Sequence, residues 1–204
     1  MKQSSLNLSV ASLDKQSQYV YTDEQLIGRF QSGDERAYIE LVKRYRDRIL
    51  NFVFPYLGDI EQAEDVVQDT MLKLYEKKDY YKEIAKFSTW LFTIARNLAN
   101  TELRKRNRRK ITYLSHMTAD ESQYEIPSGE NDIAKGVHDS FVYDRIQEAI
   151  KDLPDNYKTV IILRDIQELS YDDISLIIGV PLGTVKSRIN RARIQLQAEL
   201  QDIK

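Results

Sequence analysis

The 204-residue chain contains no cysteine, which excludes disulfides, thiolate metal sites and a cysteine nucleophile. Proline is rare, with four in the whole chain, and long alternations of β-branched residues are missing, so the sequence offers little to a sheet. Its two histidines, His116 and His138, have no partner pattern that would suggest a metal or a proton relay. No run of about 18 apolar residues occurs and the N-terminus has no continuous apolar core, so a soluble, unprocessed, cytoplasmic protein without membrane insertion is expected. The net charge of −2 gives the whole molecule no bias toward polyanions, and any nucleic-acid signal has to lie in local clusters. What is present is 42% apolar and 30% charged residues, with Glu, Lys, Arg, Leu, Ile and Ala filling long segments. That composition predicts an all-α fold with one or two small cores.

The chain divides by its periodicity. Residues 1–21 are Ser- and Gln-rich and are expected to form a flexible tail. Residues 22–110 predict a four-helix domain. Thr22 with Gln25 makes a capping box, and Gly33 ends the short helix of Leu26, Ile27 and Phe30. Tyr38, Leu41, Val42, Tyr45, Ile49, Phe52 and Val53 then recur at helical spacing, and Gly58 closes that helix. A third helix is read from about Ile60 to Lys77, with Ala63, Val67, Thr70, Met71 and Leu74 facing the core. Ser88 is the expected cap of a fourth, with Leu91, Ile94, Ala95 and Leu98 inward. Periodicity fails over 111–138, where Pro127, Gly129 and Gly136 sit among acidic residues, giving a flexible acidic linker. Helical spacing returns in a second domain over 139–204, broken by Leu153-Pro154 before the apolar run Val160 to Leu163.

The sharpest local signal is a helix-turn-helix within Ser170 to Leu196. Ser170 with Asp173 caps a short helix of Ile174, Ile177 and Ile178, Gly179 turns the chain, and Pro181 opens a second helix. There Val185, Ile189, Ala192 and Leu196 pack, while Thr184, Ser187, Arg188 and Arg191 share another face. Arginine suits guanine edges in the major groove, and the flanking Lys186 and Arg193 suit phosphates.

A second signal is Arg104, Lys105, Arg106, Arg108, Arg109 and Lys110, six cations in seven residues directly after the expected fourth helix. On that helix Thr93, Asn97, Asn100 and Arg104 share a face that leads into the cluster, along which a nucleic-acid strand could lie. A solvated helix end, its cations favoured by the C-terminal dipole, is the plain alternative. Aromatic rings crowd the preceding loop; Trp90 reads as core, whereas Tyr80 and Tyr81 are the candidates for stacking on unpaired bases. Glu61, Asp65, Gln68 and Asp69 form a largely acidic stripe that faces solvent or a basic partner. Without a nearby His or other ligand they give no metal site, and neither a catalytic constellation nor a cofactor is expected.

Two stretches carry a family resemblance: AEDVVQDTMLKLY (63–75) running on to FSTWLFTIARN (87–97), and LPDNYKTVIILRDIQELSYDDISLIIGVPLGTVKSRINRAR (153–193). In this order and spacing they resemble the extracytoplasmic-function sigma factors, bacterial transcription initiation factors, over nearly everything after residue 22. The resemblance implies that the first domain binds core RNA polymerase and opens the −10 promoter element, while the second reads the −35 element. It places Asp65, Gln68 and Asp69 in the clamp-binding helix and Asn97 in the pocket for a flipped-out base. The loop 80–87 looks like the lid that chooses that base, and Lys186, Ser187, Arg188 and Arg191 match the reading helix. An anti-sigma partner is implied as well. The family's loop commonly carries an Arg-Gly pair where this chain has Lys82, Glu83, Ile84, Ala85 and Lys86, and Ser175 replaces the usual Ala. The linker is similar to family linkers that thread the polymerase, and a generic tether explains its composition equally well.

Two rival classes remain. A stand-alone helix-turn-helix regulator would bind a palindromic operator as a dimer, but no dimerisation helix or ligand domain is apparent and no obligate homo-oligomer is expected. A nucleic-acid-processing enzyme would need a metal or nucleophile site.

Overall fold

The structure is a computed structural model that describes residues 21–116 and 139–201, with side chains over 21–109 and 145–201. The expected tail up to Val20 and residues 117–138 of the linker expected over 111–138 lie outside the described residues, while 111–116 of that expected linker are helical. Within them every element is helical: α1 (Asp23–Gln31), α2 (Glu35–Leu57), α3 (Ile60–Glu76), α4 (Phe87–His116), α5 (Asp139–Asp152), α6 (Asp155–Ile161), α7 (Tyr171–Ile178) and α8 (Leu182–Glu199). A 3-10 turn (Lys78–Tyr80) follows α3, and a π-helical segment (Ile162–Ile166) continues α6.

Local chemistry sets most of the boundaries. The Thr22 side chain accepts from the Gln25 amide while Gln25 reaches back to the Thr22 amide, the reciprocal capping box that starts α1. Asp34 caps α2, Asp59 caps α3, and Gly58 takes φ 65° to end α2, a left-handed conformation costly for a side chain with Cβ. Pro55 sits inside the last turn of α2.

The start and end of α4 differ from the expectation. Ser88 lies inside the helix rather than capping it; the Phe87 amide donates instead to the Glu24 carboxylate of α1 at 3.2 Å. An acidic side chain 63 residues earlier thus satisfies one of the amides that α4 leaves open. At its other end α4 runs on to His116, so the six-cation cluster is part of the helix, not a tail beyond it. Arg and Lys are good helix formers, and Lys105 pairs with Glu102 at 3.0 Å, so helix formation outlasts the mutual repulsion.

Helices α1 to α4 pack around Leu41, Tyr45, Ile49, Phe52, Leu74, Leu91 and Phe92, all fully buried or nearly so. Aromatic rings meet there edge to face, Phe52 with Phe92 at 5.3 Å and Tyr45 with Phe87 at 5.3 Å. The second domain has an aliphatic core from Val160 to Leu163 with Ile174, Ile177, Val185 and Ile189. The two cores join into one contiguous cluster. The domains are docked, α4 lying against α7 and α2 against α5.

Candidate nucleic-acid interface

The helix-turn-helix forms as its sequence pattern suggests. Ser170 accepts from the Asp173 amide at 3.1 Å, Gly179 turns the chain at φ 67°, and α8 begins after Pro181. Ser175, unusual at its position, uses its hydroxyl to donate to the Val180 carbonyl at 2.6 Å, which ties the turn together. Val185, Ile189 and Ala192 are buried beneath α8, while Lys186, Ser187, Arg191 and Arg193 are exposed and Thr184 and Arg188 are half-buried. Arg193 is not an open phosphate ligand here: it pairs with Asp165 at 2.6 Å, and that partner raises its already high pKa.

On α4 the polar face also forms. Asn97, Arg104, Lys105, Arg106, Arg108 and Arg109 are exposed and Asn100 is half-buried. Arg106 reaches back to donate to the Leu57 carbonyl at 2.8 Å, anchoring the cationic stretch to the end of α2. The two tyrosines of the loop part company. Tyr80 is 78% exposed, while Tyr81 is 7% exposed, its ring against Phe87 and Trp90 and its hydroxyl donating to the Ala85 carbonyl at 2.9 Å. Tyr81 is therefore a core residue that shapes the loop, and only Tyr80 offers a face for stacking. Loop tyrosines look alike in sequence; an aromatic cluster formed by Tyr81, Phe87 and Trp90 is what separates them.

Glu61, Asp65, Gln68 and Asp69 are all exposed along α3, and Leu72 beside them is 52% exposed. Among the described residues no group of three or more metal-ligating side chains comes together, and no helix is long and apolar enough to cross a membrane.

Sequence reasoning left the contact between the domains open, and the structure fills it with polar bonds. Arg48 of α2 donates from Nε to the Gln167 side chain at 3.1 Å and from Nη2 to its carbonyl at 3.3 Å; Gln167 returns a bond to the Arg48 carbonyl at 3.2 Å. Glu168, next in the chain, holds φ 58°, the single non-glycine positive φ among the described residues. That strained turn, costing on the order of 1 kcal/mol, follows the π-helical segment and presents buried Gln167 to α2. Nearer the loop, Lys86 pairs with Asp173 at 2.9 Å and Thr89 donates to its other oxygen at 2.9 Å. Burial works against ionisation of Asp173, but bonds from Ser170, Lys86 and Thr89 outweigh it and hold the carboxyl below its ordinary value. Lys158 reaches the Pro55 carbonyl at 3.3 Å, and burial pushes its pKa down against the pull of Asp155.

Fold and surface together define a two-domain helix-turn-helix protein. Comparison with known families matches residues 41–109 to Sigma-70 region 2 and residues 143–196 to Sigma-70 region 4. The RNA polymerase sigma-H factor of Pseudomonas aeruginosa is 34% identical over 189 residues, covering 89% of this chain and 95% of that protein. The ECF RNA polymerase sigma factor SigW of Bacillus subtilis is 36% identical, covering 87% of this chain and 96% of its own. Among solved structures, the sigma factor RpoE in complex with the anti-sigma factor NepR from Bartonella quintana superposes with a TM-score of 0.62 at 30% identity, over 82% of this chain and 97% of that one. The chain belongs to the extracytoplasmic-function RNA polymerase sigma factors.

Proposed function

We propose that this protein carries promoter recognition to core RNA polymerase in the cytoplasm, by binding and not by catalysis. The first domain holds polymerase through Glu61, Asp65, Gln68 and Asp69, and takes the −10 strand along Asn97, Asn100 and the cations from Arg104 to Arg109, with Tyr80 as the stacking ring. The second reads the −35 element with Thr184, Lys186, Ser187, Arg188 and Arg191. Region boundaries near 22–110 and 139–204, joined by the linker, fit this division of labour. An anti-sigma factor is expected to hold the protein inactive, as NepR is seen bound to a sigma factor of the same family.

One observation carries this reading: a single chain presents a capped helix-turn-helix with an exposed basic face and, on a separate domain, an exposed polar face leading into cations. A repressor needs the first alone. The docked arrangement adds a step. Elements centred near −10 and −35 lie about 85 Å apart at about 3.4 Å per base pair, whereas a globule of this length has a radius of gyration of about 17 Å. The closed molecule is too small to touch both, so promoter engagement requires the domains to separate.

Run-off transcription on a pool of promoter fragments, with core polymerase and with or without this protein, tests the reading. Discrete start sites that depend on the protein are expected. A sharp footprint on DNA without polymerase, and no new transcripts, would instead make it a stand-alone regulator.

A further inference from the structure

Between the docked domains lies an open cavity of about 220 Å³ that neither domain forms alone. Arg96 and Asn100 reach it from α4, Arg188 from α8 and Tyr56 from α2. Three features of its lining are at odds with an empty space. Arg188 is half-buried and has no hydrogen-bond or ion-pair partner among the described residues. Arg96, the other cation, has one bond, to the Ile177 carbonyl at a long 3.3 Å. The Tyr56 hydroxyl is buried without a well-formed hydrogen bond; its polar neighbour Thr159 donates to the Asp155 carbonyl at 2.6 Å. Burial drives the phenol's pKa up, while the neighbouring Thr159 hydroxyl and then the Arg96 charge work against that, so Tyr56 stays neutral at any physiological pH. A buried donor left unmade is costly, and two guanidiniums sharing a cleft repel each other.

The Asp155 carboxylate also lines the cavity, yet it is largely exposed and already lies 3.8 Å from Lys158. It neutralises at most one of the two arginines. Such a lining suits an anion with several acceptor oxygens, able to take bonds from two guanidiniums and an amide at once.

We infer that this interdomain cleft is a binding site for a small phosphate-bearing ligand, either free phosphate or the phosphate of a small metabolite, that holds the two domains closed. Its residues come from both domains, so the ligand binds the closed form and not the open one, and by linkage it shifts the population toward closed. The inference rests on Arg188 belonging to the −35 reading face: the anion in the cleft stands where a promoter contact has to form, so ligand and promoter compete for one side chain. A phosphate-loaded protein would be slower to yield to polymerase and DNA.

The test uses the full chain, without DNA or polymerase, so that it stands apart from the promoter reading. Inorganic phosphate and adenosine monophosphate are titrated at constant ionic strength, with chloride as the balancing anion, and heat of binding and melting temperature are followed. Saturable binding with a rise in melting temperature is expected. Arg96→Gln and Arg188→Gln should each weaken it at least tenfold. Asp155→Asn, which removes the opposing carboxylate, should tighten it, an outcome that damage to the fold would not produce. Tighter binding of the nucleotide assigns the ligand to a phosphorylated metabolite, and equal binding assigns it to phosphate itself. No saturable binding of either, or binding unchanged in both arginine variants, overturns the inference and leaves an adventitious ion only. Loosening of the docked form by Asp173→Ala should weaken binding as well; unchanged affinity in that variant would place the anion on one domain and contradict the closed-state role.

Discussion

The two domains are built differently from similar amounts of local signal. The first centres on interlocked rings, with Phe30, Tyr45, Phe52, Phe87 and Phe92 fully buried in the docked molecule. The second has an aliphatic core of Val, Ile and Leu, a π-helical segment, a strained Glu168 and three buried polar residues, Lys158, Gln167 and Asp173, each bonded to a group of the first domain. The second domain's buried polar side chains thus all bond across the boundary, whereas in the first only Thr89 among the buried polar residues does so. A protein that has to open in order to work can place its weak joint there: polar bonds at a domain boundary are exchanged for water at small net cost, while an aromatic core is not.

That contrast can be broken from either side. Phe92→Ala, deep in the first core, should cost about 3–5 kcal/mol of unfolding free energy and abolish polymerase binding with it, as followed by denaturant titration. Asp173→Ala should loosen docking by about 2–3 kcal/mol, because Lys86 and Thr89 lose a charged partner, yet leave the first domain folded. A label pair across the domains should then report a longer distance and promoter-dependent transcription should rise; equal compactness would remove Asp173 from the joint. Arg188→Ala should leave core-polymerase affinity alone and weaken −35 discrimination by about 1–3 kcal/mol, read by transcription from promoter variants. Asp65→Lys should do the reverse, weakening polymerase affinity by about 1 kcal/mol through an exposed interfacial charge.

Acid should act on the joint before the cores. The Asp173 carboxyl titrates below its ordinary 3.8, so its contribution to docking is fully present above that value and is lost as pH falls through its lower folded value. Lys86, Ser170 and Thr89 are the groups that face it. The distance between domains should therefore increase below about pH 4 in the unmodified chain. The change should be absent in Asp173→Ala.

Much of this molecule could be read from neighbouring residues. The Thr22 and Ser170 caps, the turns at Gly58 and Gly179 and the inward face of α8 all depend on spacings of a few positions, and they form where the pattern puts them. The acidic stripe on α3 and the polar face of α4 follow from helical geometry alone. What escaped were contacts across long separations. Glu24 caps α4 in place of Ser88, Tyr81 is drawn into the ring cluster of Phe87 and Trp90, and α4 continues through its own cations. Gln167 and Asp173 carried a faint signal, being polar residues next to apolar runs. Asp173 read as the partner of the Ser170 cap and is one, but its side-chain bonds to Lys86 and Thr89 depend on a domain more than 80 residues away.

The cysteine-free chain offers a direct test of the central claim, that the docked form has to open before a promoter can be read. Cysteines placed by Thr89→Cys and Asp173→Cys, at side chains that touch in the docked form, allow it to be locked by oxidation and released by a reductant. Run-off transcription with core polymerase should be lost in the quantitatively cross-linked protein and return on reduction. Full activity of the locked protein would contradict the account.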